Sequence, residues 1–175
     1  MEIVMLEDNA VKVKGKLGSI VIEPTKKVKT TADAMLFYAI ADESNFSSDL
    51  EKSSRVSIVG PGEYEISGIK INGFGNGDQL LYAIVLDGVD ILVGKASVLE
   101  KAHGKQKDTE ILLCNCDTIA SPASLLSLSP RIAVLFGEKA EEVSSGLGKG
   151  TKSKVSKFVT AADKFPAEME VILLG

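Results

Sequence analysis

Short strand-like segments separated by turn residues fill the first half of this 175-residue chain. Apolar or alternating stretches are interrupted by pairs such as Asp8-Asn9 and Asp87-Gly88. Such pairs are typical of tight turns between antiparallel strands, because both residue types tolerate the required backbone angles. A meander of this kind must pair its strands into a sheet with one buried face. We predict strands over 2–6, 10–13, 19–22, 34–39, 56–59, 68–73, 80–86 and 90–93.

The second half of the chain alternates strands with helices. Pro122 suits the first turn of a helix, where its missing N–H costs nothing. A meander followed by this alternation predicts an α+β fold with two packed sheets and helices outside them. The length fits a single domain over 1–175. We predict strands over 111–114, 132–136, 157–160 and 169–174, and helices over 97–101, 122–128 and 138–145.

Composition excludes several classes of protein. The chain carries 24 acidic and 20 basic residues, a net charge of -4. Nucleic-acid binding usually needs a stronger basic character, so we expect no nucleic-acid partner. No apolar run approaches the roughly 18 residues that span a membrane. The start of the chain lacks the basic and then apolar pattern of a signal peptide, so we expect a cytoplasmic protein with no membrane contact.

Cysteine and histidine, two common zinc ligands, are scarce in this chain, which has two cysteines and one histidine. Cys114 and Cys116 are spaced so that they share one face of a strand. They are interpreted either as a redox or metal-binding pair or, as we favour, as two small core residues. His103 is the one histidine in the chain, and its basic, polar surroundings indicate a solvated surface position.

Several ordered segments resemble one branch of a known fold. The sequence Gly-Pro-Gly-Glu-Tyr-Glu at 60–65 is the most specific of them. It is flanked by the strand ending in Glu-Pro at 20–24, by 32–38, and by Phe-Pro-Ala-Glu near 165–168. Together these segments resemble the ascorbate-phosphate-lactonase-like branch of the metallo-β-lactamase superfamily over nearly the whole chain. The resemblance implies a compact metallo-β-lactamase-like αββα sandwich of two mixed β-sheets with outer helices.

The same resemblance implies a zinc hydrolase, yet the metal-binding residues are replaced. Zinc hydrolases need about three protein ligands per ion. Alanine supplies no lone pair, and a lysine adds positive charge where a metal requires negative charge. We therefore expect no metal, no cofactor and no catalytic residue. Aligned with the family's metal-site positions are Asp8, Ala39, Ala41, Glu43, Ser44 and Lys95.

Three functions remain open. The first is a metal-free, non-catalytic binding or assembly module, which binds an unknown protein partner or associates with itself. In such a protein, side chains such as Phe37, Tyr38 and Phe46 could fill the pocket that the metals leave. The second is a divergent hydrolase with carboxylate ligands for Mg²⁺ or Ca²⁺. The third is a small-ligand-sensing domain that uses a glycine-rich loop at 73–77. The carboxylates considered for the second function are Asp8, Asp33, Asp42 and Glu43.

Overall fold

The computed structural model describes residues 1–40, 54–101, 109–148 and 153–175. Two β-sheets face each other across a hydrophobic core. Short 3₁₀ helices lie at Glu7–Asn9 and Ala162–Lys164. Several residues named in the sequence analysis fall outside the described ranges: Ala41, Asp42, Glu43, Ser44, Phe46 and His103.

The first sheet has six strands in the order β12-β1-β2-β3-β4-β5. Strands β3, β4 and β5 are parallel, whereas β12, β1, β2 and β3 pair antiparallel. The turn at Asp8 and Asn9 has φ of 55° and 62°, as this residue pair allows. The strands are β1 (Glu2–Met5), β2 (Val11–Lys14), β3 (Ser19–Ile22), β4 (Ala32–Leu36), β5 (Ser54–Ile58) and β12 (Lys157–Val159).

The second sheet has seven strands in the order β13-β11-β10-β9-β8-β7-β6. Strands β6 to β9 form an antiparallel meander, and β9, β10, β11 and β13 are parallel. The hairpin turns Ser67-Gly68 and Asp87-Gly88 take positive φ at both residues, which matches the right-handed strand twist. The strands are β6 (Gly62–Ile66), β7 (Ile69–Asn76), β8 (Gln79–Leu86), β9 (Val89–Lys95), β10 (Ile111–Asn115), β11 (Ile132–Phe136) and β13 (Glu170–Leu173).

The main core fills the space between the sheets. Alternate residues of each strand point into it, for example Ile20 and Ile22 from the first sheet and Ile91 and Val93 from the second. A second apolar cluster lies on the outer face of the second sheet, beneath three short helices. In the described ranges, every helix is far shorter than the roughly 20 apolar residues of a membrane-spanning helix. The helices are α1 (Ala96–Leu99), α2 (Pro122–Leu126) and α3 (Ala140–Gly146).

The predicted architecture of two mixed sheets with outer helices is confirmed. In the described ranges, the helices all cover the second sheet. Strand β6 was not predicted, because its alternating Glu63 and Glu65 make it look like a polar connection. The predicted glycine-rich loop at 73–77 is wrong, since β7 continues to Asn76. A Cβ on Gly73 would lie 3.1 Å from the Gly60 carbonyl oxygen, so close backbone packing explains this glycine.

Candidate functional site

The carboxyl ends of parallel strands from both sheets meet at one edge of the sandwich. The chain leaves β4 and crosses to the second sheet, where Leu80 N donates to the Tyr38 carbonyl oxygen at 2.6 Å. Ala39 then forms a bridge with Gln79. The Lys95 ammonium nitrogen, at the end of β9, lies 5.7 Å from the centre of the Tyr38 ring. Ligand sites in sheets of parallel strands commonly form at such strand ends.

Tyr38 fills the space between the sheets at this edge. Its side chain is 1% exposed and belongs to the main core. Its hydroxyl is buried and has no hydrogen-bond partner in the part of the chain that the structure describes. Burial raises the pKa of Tyr38 well above its ordinary value, and the negative charge of the nearby Glu23 carboxylate acts in the same direction. The phenol is therefore a neutral hydrogen-bond donor without an acceptor.

Glu23 fixes the backbone that carries Tyr38. It takes φ of 48°, which is uncommon for a residue other than glycine, and its N–H donates to the Leu36 carbonyl oxygen at 2.8 Å. Its carboxylate accepts a hydrogen bond from Tyr38 N at 2.7 Å. Strained backbone of this kind persists only where surrounding contacts hold it. The carboxylate therefore positions the crossing segment.

Lys95 and Asn115 form a polar row on the core-facing side of the same edge. They are paired positions of the parallel strands β9 and β10, so their side chains leave the sheet on the same face. Neither side chain makes a hydrogen bond or ion pair with the described residues. The Asn115 carboxamide oxygen lies beside Gly137, 2.6 Å from where a Cβ would stand. The glycine, with φ of 92°, makes room for this carboxamide.

The Asp117 carboxylate is hydrogen-bonded to the first turn of α1. It accepts hydrogen bonds from Ser97 N at 3.1 Å and from Ser97 Oγ at 2.7 Å. These bonds tie the end of β10 to the helix that follows β9. They also satisfy the carboxylate without help from Lys95.

The structure separates Asp8 from Asp33, two of the four carboxylates considered for an alternative metal site. Asp8 lies at the carboxyl end of β3 and β4, where it forms an ion pair with Lys27 at 3.1 Å. Asp33 lies at the opposite end of β4, where it accepts a hydrogen bond from Ser19 N at 2.8 Å. The strand separates the two carboxylates, because β3 and β4 run parallel and each aspartate flanks a different end.

The described residues do not fit a zinc ion. They contain no group of three or more histidine, cysteine, aspartate or glutamate side chains that could hold a metal. Ala39 lacks a side-chain ligand, Lys95 brings a positive charge, and Asp8 is engaged by Lys27. The whole chain has a single histidine, whereas zinc sites use about three or four nitrogen, sulfur or oxygen ligands.

The two cysteines lie away from this row, on the opposite face of the second sheet. Both are fully buried in the cluster beneath the helices, with their sulfur atoms 3.9 Å apart. The hydrogen bond from Cys116 and the burial raise the pKa of Cys114 well above its ordinary value. A protonated, inaccessible thiol is a poor nucleophile and metal ligand. The arrangement favours the interpretation of Cys114 and Cys116 as core residues.

A second concavity lies on the outer face of β6 to β9. It is an open groove of about 500 Å³ that also includes Thr109. Charged side chains of both signs line it, and none of the aligned metal-site positions does. The charged residues are Glu63, Glu65, Lys70 and Asp90.

Tyr38 and Phe37, both considered as fillers of a vacated pocket, lie on different faces of the first sheet. Tyr38 belongs to the core between the sheets, whereas Phe37 packs in a small cluster on the other face. Glu23 and Asn115 were missed as site residues. The signal for Asn115 was available, because a polar residue closing a buried parallel strand marks a strand end at which ligands can bind.

No protein-family model matches the sequence, and no curated protein sequence matches it. Two solved structures resemble the fold over nearly its full length. A Thermotoga maritima protein provisionally named a Zn-dependent hydrolase of the metallo-beta-lactamase superfamily superposes with a TM-score of 0.68 at 16% identity, covering 99% of this chain and 97% of its own. A Parabacteroides distasonis protein provisionally named a metal-dependent hydrolase superposes with a TM-score of 0.62 at 12% identity, covering 99% and 93%. The predicted resemblance is confirmed at this level, and this chain has the metallo-β-lactamase fold.

Proposed function

We propose that this protein is a metal-free, non-catalytic member of the metallo-β-lactamase fold that acts as a binding or assembly module. One observation carries the proposal. Lys95, one of the positions aligned with the family's metal site, has its ammonium nitrogen 5.7 Å from the centre of the Tyr38 ring at the edge between the sheets. A fixed positive charge opposes binding of a divalent cation at that place.

The neighbouring positions support the same proposal. Ala39 has no donor atom, and the Asp8 carboxylate is held by Lys27 and Thr25. The single histidine of the chain cannot supply the ligand set of a zinc hydrolase. The solved structures of similar fold are named as hydrolases, and this chain keeps their fold without a comparable set of ligands in its described residues.

The alternative of a carboxylate-based hydrolase has less support. It needs several carboxylates close enough to share an ion through oxygen ligands. Asp8 and Asp33 flank opposite ends of β4, and Asp33 bonds Ser19 N and Ser67 Oγ. Asp42 and Glu43 lie outside the described residues and remain part of this alternative.

Metal analysis of the purified, untagged protein tests the proposal. The protein is incubated with Zn²⁺, Mn²⁺ or Mg²⁺, desalted, and analysed for metal per chain by mass spectrometry. We expect metal far below one ion per chain. About one retained ion per chain would overturn the proposal. The variant Glu43→Ala then identifies the ligand, because its loss of that ion would favour the carboxylate-based hydrolase.

The assembly part of the proposal is tested separately by light scattering coupled to gel filtration. A mass near twice 18.5 kDa or more over a range of concentrations would support self-association. A mass of one chain at every concentration would contradict self-association and leave a different protein as the proposed partner.

A further inference from the structure

The row at the strand ends contains hydrogen-bond donors without acceptors. The Lys95 ammonium has no carboxylate partner within the described ranges, and the Asn115 carboxamide makes no hydrogen bond there. The Tyr38 hydroxyl is buried and without a partner. Buried polar groups are paired in the great majority of folded proteins, so the unpaired Tyr38 hydroxyl requires an explanation. Lys95 and Asn115 are half-buried beside it.

The nearby carboxylates do not supply the missing acceptor. Asp117 is bonded by Ser97, and Glu23 is bonded by Tyr38 N. Both hold backbone in place, and neither forms an ion pair with Lys95. A ligand that brings its own acceptor oxygens would satisfy all three donors.

We propose that this edge binds the carboxylate group of a small molecule, with Lys95 as the cation and Asn115 and Tyr38 as hydrogen-bond donors. The proposal deepens the function above and rests on the absence of a metal at this edge. A carboxylate has one negative charge and two acceptor oxygens, which matches one ammonium and two neutral donors. Phosphate carries more charge and is less well matched, because Glu23 and Asp117 add negative charge nearby.

The fold explains why these three residues lie at one edge of the sandwich. Pairing of β9 with β10 places Lys95 beside Asn115. Glu23, which follows β3 with a positive φ, accepts a hydrogen bond from Tyr38 N and so holds the segment that follows β4. The Tyr38 ring then lies next to the Lys95 ammonium group. Gly137 gives the carboxamide its space. The donors therefore come from both sheets, on backbone fixed by hydrogen bonds.

Titration of the ¹⁵N-labelled full chain with sodium acetate tests this proposal. Ionic strength is held constant with sodium chloride, and chemical shifts are followed by NMR. We expect saturable shifts at the Asn115 side-chain amide and at the backbone amides of 95–97, 115–117 and 137. Shifts that stay linear or scatter over the surface would overturn the proposal.

Substitutions test whether acetate binds at Lys95, Asn115 and Tyr38. We expect Lys95→Gln to weaken acetate binding by about tenfold or more, because a charge-assisted hydrogen bond is lost. The control Lys70→Gln removes the same charge from the outer face of β7 and should leave binding unchanged. Equal binding by the wild type and Lys95→Gln would contradict the proposal.

Two further measurements distinguish a failure of the carboxylate-site proposal from a failure of the metal-free function. Saturable binding of inorganic phosphate in preference to acetate would overturn the assignment of a carboxylate ligand. Metal content is measured on the same sample: tightly bound metal would overturn the metal-free function. A metal-free protein that does not bind acetate saturably would overturn only the ligand proposal.

Discussion

Two buried tyrosines at this edge differ in how their hydroxyls are satisfied. Tyr82 donates to the Phe37 carbonyl oxygen at 2.6 Å and lies 3.2 Å from the Ile58 carbonyl oxygen. It thereby ties the ends of β4 and β5 to the second sheet. The Tyr38 hydroxyl has no such partner among the described residues, although its ring is equally well buried. The same side chain thus serves as a structural tie at one position and as an unsatisfied donor at the other.

Substitution of each tyrosine by phenylalanine distinguishes these roles. An unsatisfied buried polar group costs about 1–3 kcal/mol, so Tyr38→Phe should raise the free energy of unfolding by about 1 kcal/mol in the ligand-free protein. Tyr82→Phe is the matched control and should lower it by about the same amount or more. Urea unfolding measures both. A destabilised Tyr38→Phe variant would indicate that the hydroxyl has a partner in the fold.

At the scale of elements, β6 ends the second sheet with charged side chains. Glu63 and Glu65 project from its outer face, opposite Asn72 and Lys70 of β7. If two copies of β6 paired antiparallel about Tyr64, Glu63 of one copy would face Glu65 of the other. Like charges directly opposite one another destabilise a sheet, so these residues protect the edge against self-pairing.

Replacing both glutamates by valine removes this protection. We expect the double variant Glu63→Val, Glu65→Val to form dimers or larger species with increasing concentration, because a hydrophobic edge is a template for pairing. Gel filtration with light scattering measures the mass. The control Glu141→Val, Glu142→Val makes the same charge change on the helix α3, outside β6. An unchanged mass for the β6 variant would show that these glutamates do not set the association state.

At the level of the whole molecule, burial keeps two tyrosine hydroxyls and one cysteine thiol protonated in the folded state. Burial raises the pKa of Tyr38 and of Tyr82 above the ordinary value of 10.0. Cys116 and burial raise the pKa of Cys114 above 9.0. The unfolded chain releases these protons at the ordinary values, whereas the folded chain retains them. The folded state therefore binds more protons above about pH 9, so stability falls as pH rises.

Alkaline unfolding tests this expectation. The free energy of unfolding should lose the contribution of these groups progressively above about pH 9, with a steeper fall above pH 10 as the tyrosines titrate in the unfolded chain. Urea unfolding at intervals from pH 8 to 11 measures the slope. Cys114→Ala should flatten the curve between pH 9 and 10. A stability that stays constant over the whole range would contradict the burial of these groups.

The fold was largely predictable from local patterns, and the strand that was missed shows the limit. The hairpin β8–β9 is specified by apolar alternation around Asp87-Gly88, which favours one local geometry. Strand β6 lies at the edge of the sheet, and every second residue of it is charged. Its own sequence therefore does not indicate a strand, which forms by pairing with β7. In the same way, β7 extends through Gly73 because the segment at 60–62 packs on its backbone.

Strand periodicity, turn residues and the number of histidines are properties of the chain alone, so the sandwich of two sheets and the shortage of histidine ligands could be predicted from local patterns. The three-dimensional fold, in contrast, selected which polar residues lie together. It separated Asp8 from Asp33 by the length of β4 and placed Lys95, Asn115 and Tyr38 at one edge. The physical reason is that strand order and direction, set by contacts distant in sequence, determine which strand ends meet.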